Sequence, residues 1–271
     1  MTPFFDIAAR NLKTLKDTVP LIHTITNYVT MGWVADVLSA VGASPIMADA
    51  IGEVGEVTAR ADALVLNIGT LNPARLESML KAGYQAAALG KPIVLDPVGA
   101  GAISARTEAA LNILGALPVS VIRSNASEML ALSGHTIQPR GVDTVHPVEA
   151  ARVAAGEVAA AFGLTAVVTG KEDLIVTDSQ ICRISNGHPL MGRISGTGCA
   201  VGALIGAFLA VDPNPATAAL SAMVCFNLSG EIAAESAAIP GSFKIALLDV
   251  LDTLTPTLIQ QGARIHIDKH A

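Results

Sequence analysis

Along the first two thirds of the chain, short runs of apolar and β-branched residues alternate with longer alanine-rich stretches. The runs fall at residues 21–26, 44–48, 63–68, 92–97, 120–123 and 165–169. Between them, residues 31–41, 73–89, 105–117 and 147–162 have the length and apolar spacing of helices. Several runs are apolar at consecutive positions, as in Leu64-Val65-Leu66 and Ile93-Val94-Leu95. A strand with one wet face alternates, whereas one buried on both faces does not. Strands of this kind joined by helical crossovers predict a mostly parallel sheet inside a three-layer α/β/α fold. Beyond Thr169 the pattern changes. Residues 173–177 and 180–184, joined by Asp178-Ser179, predict an antiparallel hairpin on one sheet edge. Helical stretches at 196–210, 214–238 and 241–262 close the chain, with Pro240-Gly241 dividing the last two. No repeat, low-complexity linker or charge run interrupts the pattern, so residues 1–271 are expected to form one domain, with Pro139-Arg140-Gly141 in a loop.

Composition narrows the class. A content of 51% hydrophobic residues over 271 positions supplies a substantial core, and the net charge of −6 arises without any basic run. That excludes a nucleic-acid or anionic-membrane footprint, and 3% aromatics leave little for base stacking. Small molecules are the expected partners. The mean hydropathy of +0.53 raises the question of a membrane span. The longest apolar run, 198–211, is closed by Asp212 and falls short of the roughly 20 residues a span needs. Residues 1–17 carry Asp6, Arg10, Lys13, Lys16 and Asp17 without an apolar signal region, which gives a cytoplasmic expectation. Cys182, Cys199 and Cys225 lack the number and spacing of a disulfide framework or a zinc site.

In an open parallel sheet, ligands bind at the carboxyl ends of the strands. Gly196-Thr197-Gly198-Cys199 opens a long apolar helix, where unpaired amides and the positive helix end favour an anion; its bland alternative is tight helix packing. No Gly-x4-Gly-Lys-Ser/Thr element accompanies it, and no acid stands where a Rossmann site needs one. Cys199, in the first turn, is expected to have a lowered thiol pKa, against the alternative of a small buried apolar residue. Asn125-Ala126-Ser127-Glu128 fits a capping box, which a glutamine at 128 is also expected to complete. Its functional alternative places Glu128 and Asp96 near Mg²⁺, whose oxygen ligands and retained waters they suit. His23 reads as a hydrogen-bonded structural group, and Met47 by default as core.

Together, the segments His23-Thr24-Ile25-Thr26-Asn27-Tyr28-Val29, Leu95-Asp96-Pro97-Val98-Gly99-Ala100-Gly101, Arg123-Ser124-Asn125 with Glu128, Val168-Thr169-Gly170, and Gly196-Thr197-Gly198-Cys199 resemble the hydroxyethylthiazole kinase family of the ribokinase-like superfamily, in the family's order. The resemblance implies a ribokinase-like fold and ATP-dependent phosphorylation of 4-methyl-5-(2-hydroxyethyl)thiazole in thiamine salvage, with Mg²⁺ as cofactor. It puts Cys199 at the catalytic-base position, with Gly198 in the anion hole. Arg123 and Thr169 become ATP contacts, and Met47, Gly196 and Asn27 fall at thiazole-binding positions. Glu128 and Asp96 fall in the metal and phosphate region. It also implies a homotrimer with active sites between subunits. Lys171 departs from the family's usual residue. A hydroxymethylpyrimidine kinase, expected to carry Asp at 199, is the nearest rival. A cysteine-nucleophile hydrolase or acyltransferase and a non-catalytic nucleotide-binding regulator are the others.

Overall fold

The structure is a computed structural model that describes residues 3–135 and 147–269. Its elements run α1 (Phe4–Thr18), β1 (Leu21–Ile25), α2 (Met31–Val41), β2 (Ser44–Ile46), α3 (Val54–Arg60), β3 (Ala63–Asn67), α4 (Pro73–Ala88), β4 (Ile93–Asp96), α5 (Ser104–Ala116), β5 (Val121–Asn125) and α6 (Ala126–Leu132). They continue with α7 (Arg152–Phe162), β6 (Thr165–Thr169), β7 (Asp173–Val176), β8 (Gln180–Ile184), α8 (Thr197–Leu209), α9 (Pro215–Ser236), α10 (Pro240–Thr253), α11 (Pro256–Gly262) and β9 (Ile265–Lys269).

Among the described residues one sheet holds nine strands in the order β2-β1-β3-β4-β5-β6-β7-β8-β9. The strands from β2 through β6 in that order pair in parallel, and β7, β8 and β9 add antiparallel pairings. Alternate side chains of the consecutive apolar runs feed two cores. Val65, Val94, Val121 and Val167 pack with α1, α2, α8, α9 and α10 on one face. Leu64, Leu66, Ile93, Leu95 and Ile122 pack with α4, α5, α6 and α7 on the other. Both faces are covered, which is why these strands are apolar throughout. The three-layer expectation and the antiparallel hairpin are met, but the hairpin is not at the sheet edge, because β9 pairs outside β8.

Several details depart from the sequence pattern. The predicted helix 241–262 is two, because Pro256 starts α11 as its first helical residue behind the Thr255 cap. A proline fits that position, where its missing N–H costs nothing. The predicted helix 147–162 opens with a 3₁₀ turn, Val148–Ala151. The segments α1, α3 and β9 were not anticipated. The loop expectation at 139–141 lies outside the described residues. Helix α9 is long and apolar enough to cross a bilayer by composition, yet 78% of its most apolar window is buried. It is a core helix, enclosed by α1, α8 and α10.

The strand order reverses between β1 and β3, each of which leads away from the other. Such a switch point opens a crevice at the carboxyl ends of the strands. Helix α8 aims its N-terminus at the same edge of the sheet. Its glycines at 198, 202 and 206 lie against the Arg123 guanidinium, the Asp96 carboxylate and Val65, so the helix can press onto the strands.

Candidate active site

The loop after β1 begins the site. The side-chain oxygen of Asn27 accepts from the amides of Val29 and Thr30, both at 3.1 Å, which fixes the turn into α2. Its Nδ2 is then free to reach across the switch point, donating to Asn67 Oδ1 at 3.2 Å and to Cys199 Sγ at 3.3 Å. Asn67 Nδ2 in turn donates to Asp96 Oδ2 at 2.7 Å. The parallel register that pairs Asn67 with Asp96 makes this chain possible.

Asp96 is fully buried at the end of β4. Burial pushes its pKa up, opposed by the Arg123 cation and by the Asn67 hydrogen bond. Arg123 Nη1 lies 3.4 Å from Asp96 Oδ1, and Nη2 donates to Thr169 Oγ1 at 2.6 Å. The Nε of Arg123 is buried without a hydrogen-bond partner. The guanidinium itself lines the cleft described below, and a cation in that position suits an anionic ligand.

Helix α8 starts at Thr197 with Gly196 as its cap, held at φ +91°. A Cβ at 196 would lie 2.6 Å from Thr30 Cγ2, so both backbone conformation and space require glycine there. With no capping side chain, the amides at the start of α8 remain available to an anion. At Gly198 a Cβ would stand 2.5 Å from Arg123 Nη2.

The capping box at Asn125 forms as expected. Glu128 Oε1 accepts from Gly99 N and Oε2 from Asn125 N, both at 2.9 Å, so one carboxylate ties the 97–101 loop to α6. A glutamine at 128 keeps an acceptor for the box but turns its amide donor toward the Gly99 N–H, so the tie to the 97–101 loop is lost. Burial, followed by the Asp96 charge, pushes Glu128 up to about 7. A carboxyl raised in the folded state penalises folding progressively as pH rises from its unfolded value of 4.5 to about 7. The melting-temperature advantage of the wild type over Glu128→Gln should therefore shrink between pH 5 and pH 8. An advantage that grows over that range would show that Glu128 titrates in the opposite sense.

The thiol of Cys199 departs from expectation. Burial and the Asp96 charge push its pKa up, outweighing the hydrogen bonds and the Arg123 cation that oppose them. The helix start favours a thiolate, but a sulfur enclosed beside a carboxylate loses more than that favour returns.

A cleft of about 590 Å³ opens beside this group. Arg123, Thr169, Gly170, Thr197 and Gly198 line one side, and the 185–189 segment, Met223 and Asn227 the other. Lys171 stands exposed at its margin. Asp173, raised to about 6 by burial, accepts from Gly170 N at 2.9 Å and from Asn227 Nδ2 at 2.6 Å, shaping the floor. Sequence reasoning assigned no site role to Asn67, Asp173 or Asn227.

Eight of the nine expected residues, Asn27, Asp96, Arg123, Glu128, Thr169, Gly196, Gly198 and Cys199, thus gather at one end of the sheet. Met47, half-buried just past edge strand β2, stands at the same carboxyl end, one strand outside β1. Among the described residues no group of three or more His, Cys, Asp or Glu side chains could hold a metal by itself. Asp96 and Glu128 feel each other's charge, and two carboxylates of that kind fit a Mg²⁺ that draws its remaining ligands from phosphate and water. His23 is the structural group anticipated, with Nδ1 2.8 Å from Thr58 Oγ1 and Nε2 2.8 Å from the Ala48 carbonyl.

The mostly parallel sheet, the glycine-started helix and the adjoining cleft define a ribokinase-like kinase. A ribokinase-like superfamily protein from Enterococcus faecalis shares the fold, with a TM-score of 0.64 at 15% identity over 92% of this chain and 95% of its own. The chain belongs to the hydroxyethylthiazole kinase family, whose profile matches residues 12–257. The hydroxyethylthiazole kinase of Desulfotalea psychrophila is 46% identical, covering 95% of this chain and 94% of that protein. The solved hydroxyethylthiazole kinase of Pyrococcus horikoshii superposes with a TM-score of 0.89 at 41% identity, covering 97% and 99%.

Proposed function

We propose that this chain, acting as one kinase domain, moves the γ-phosphate of ATP onto the primary hydroxyl of 4-methyl-5-(2-hydroxyethyl)thiazole, a step of thiamine salvage. The observation that carries the reading is the Asn27–Cys199 contact at the mouth of α8, beside a cleft ending in Arg123 and Thr169. ATP occupies that cleft with its phosphates toward Arg123, Thr169 and the α8 amides. The acceptor lies on the other side of Cys199, against Asn27 and Gly196. Trp33 Nε1, buried without a partner and next to Gly196, offers that side a donor.

Phosphoryl transfer passes through a loose transition state, so positioning and charge stabilisation dominate. The amides of Thr197, Gly198 and Cys199 face the oxygens on which charge develops, and Arg123 faces them from the strand side. Glu128 and Asp96 would hold a Mg²⁺, which would supply further charge neutralisation. Asn27 orients the acceptor hydroxyl toward Cys199. A thiol with a raised pKa is protonated before transfer and so is not a preformed base. It takes the hydroxyl proton late, as phosphorus–oxygen bonding acidifies that hydroxyl.

Cys199→Ala should accordingly lose activity by on the order of 10²-fold, the scale of one general base. Cys199→Asp should retain activity, with its pH profile displaced upward by the Asp96 charge. Complete loss in both folded variants would instead point to a covalent nucleophile. The reading includes a homotrimer with active sites between subunits, and exposed Tyr28, Val29 and Ile51 lie on the loops beside the acceptor side. A cytoplasmic location suits the substrates. Coupled ADP release over thiazole, pyrimidine and sugar alcohols tests the substrate. Release with a pyrimidine or sugar alcohol but none with the thiazole would refute it.

A further inference from the structure

Beneath the acceptor side lies a guanidinium that the mechanism does not use. Arg75, in the first turn of α4, is 3% exposed. A cation there opposes the helix dipole, so helix stability gives no reason for it. Its contacts run instead to the three loops leaving β1, β2 and β3. Nη2 donates to the carbonyl of Thr26, Nη1 donates to Thr70 Oγ1 at 3.2 Å, and Nε lies 3.4 Å from Asp49 Oδ2. The ring of Tyr28 covers the guanidinium at 4.4 Å, and the Tyr28 hydroxyl donates to Asp49 at 3.3 Å. Thr70, held at φ +47°, also accepts from Tyr28 N at 3.2 Å. A threonine rarely adopts that backbone conformation unless its surroundings hold it there.

The two loops that carry acceptor-side residues are therefore pinned to one buried cation. Thr26 immediately precedes Asn27, and Asp49 follows Met47 by two residues, with the intervening Ala48 carbonyl held by His23. We propose that Arg75 is a positioning residue for the acceptor: it fixes the Asn27 and Met47 loops against each other and so sets affinity for the alcohol without touching it. This rests on the thiazole kinase reading above.

Arg75 bonds the loops after β1, β2 and β3 and is not among the residues lining the cleft assigned to ATP, which makes the two substrates separable. In Arg75→Met, KM for hydroxyethylthiazole should rise about tenfold while KM for ATP stays within about twofold, as loss of charged hydrogen bonds to one side predicts. Trp33, the single tryptophan, adjoins Gly196. Its fluorescence, titrated with the thiazole alcohol alone, should give the same rise in dissociation constant. Arg75→Lys keeps the charge without the fork and should fall between. Asp49→Asn, altering a side chain 29% exposed, carries the same test should Arg75→Met not fold, with an expected rise of about threefold. An unchanged acceptor KM, or an equal rise in KM for ATP, in folded variants would overturn the proposal. A wild-type protein that neither binds nor phosphorylates the thiazole alcohol would instead overturn the substrate reading.

Discussion

Gly198→Ala is expected to cut the turnover of the folded protein by about 10²–10³-fold, the cost of disabling preorganised anion donors. The added methyl would stand 2.5 Å from Arg123 Nη2 and 2.6 Å from Nη1. Both atoms end a flexible side chain, and alanine suits a helix better than glycine does. The chain therefore accommodates the methyl by swinging the guanidinium away. That same movement takes the cation from the proposed phosphate site and from buried Asp96, so the melting temperature should fall as well. The outcome separates function from packing. Had Gly198 served only close packing, the melting temperature would fall and the activity of the remaining folded protein would persist. Steady-state rates beside thermal melts distinguish the two.

Arg123→Met is expected to lose activity by on the order of 10³-fold, because one guanidinium serves both phosphate charge and Thr169 alignment. It should also be destabilised. Asp96 is fully buried, and Arg123 is its only cationic partner among the described residues. Removing one partner of a buried pair leaves the other charge uncompensated, at about 3–5 kcal/mol. The sign of the pH dependence follows. Without the cation, the already raised pKa of Asp96 rises further. The penalty is absent below the unfolded carboxyl value and grows as pH increases toward the folded one. The variant should thus lie nearer to wild-type stability in acid than at neutral pH. A deficit independent of pH would show that Asp96 does not carry the uncompensated charge.

Much of the architecture is legible in the sequence because strands buried on both faces are uniformly apolar, and few other structures produce that pattern at short length. The parts that escaped have physical reasons. Helix α1 hides its periodicity in Ala8, Leu12 and Leu15 behind charges that drew attention as the flank of a possible signal sequence. Strand β9 alternates Ile265 and Ile267 over a segment too short to declare itself, and it is held by pairing with β8 and by the Arg183–Asp268 ion pair. At the site, each motif's position relative to a strand end or helix start sufficed to group eight residues. The contacts of Asn67, Arg75 and Asp173 could not be read in that way. Their roles arise from partners 29 to 54 positions away, which only sheet register and loop packing bring together. The Cys199 thiol failed for a related reason, since sequence reveals its place on the helix but neither its burial nor its distance from Asp96.

The central claim is transfer of a phosphoryl group to one particular alcohol. Phosphorus NMR of the reaction of wild-type protein with ATP, Mg²⁺ and 4-methyl-5-(2-hydroxyethyl)thiazole tests it most directly. A phosphate monoester of the thiazole alcohol should appear in step with ADP. ADP formed together with free inorganic phosphate, with no ester, would contradict the account.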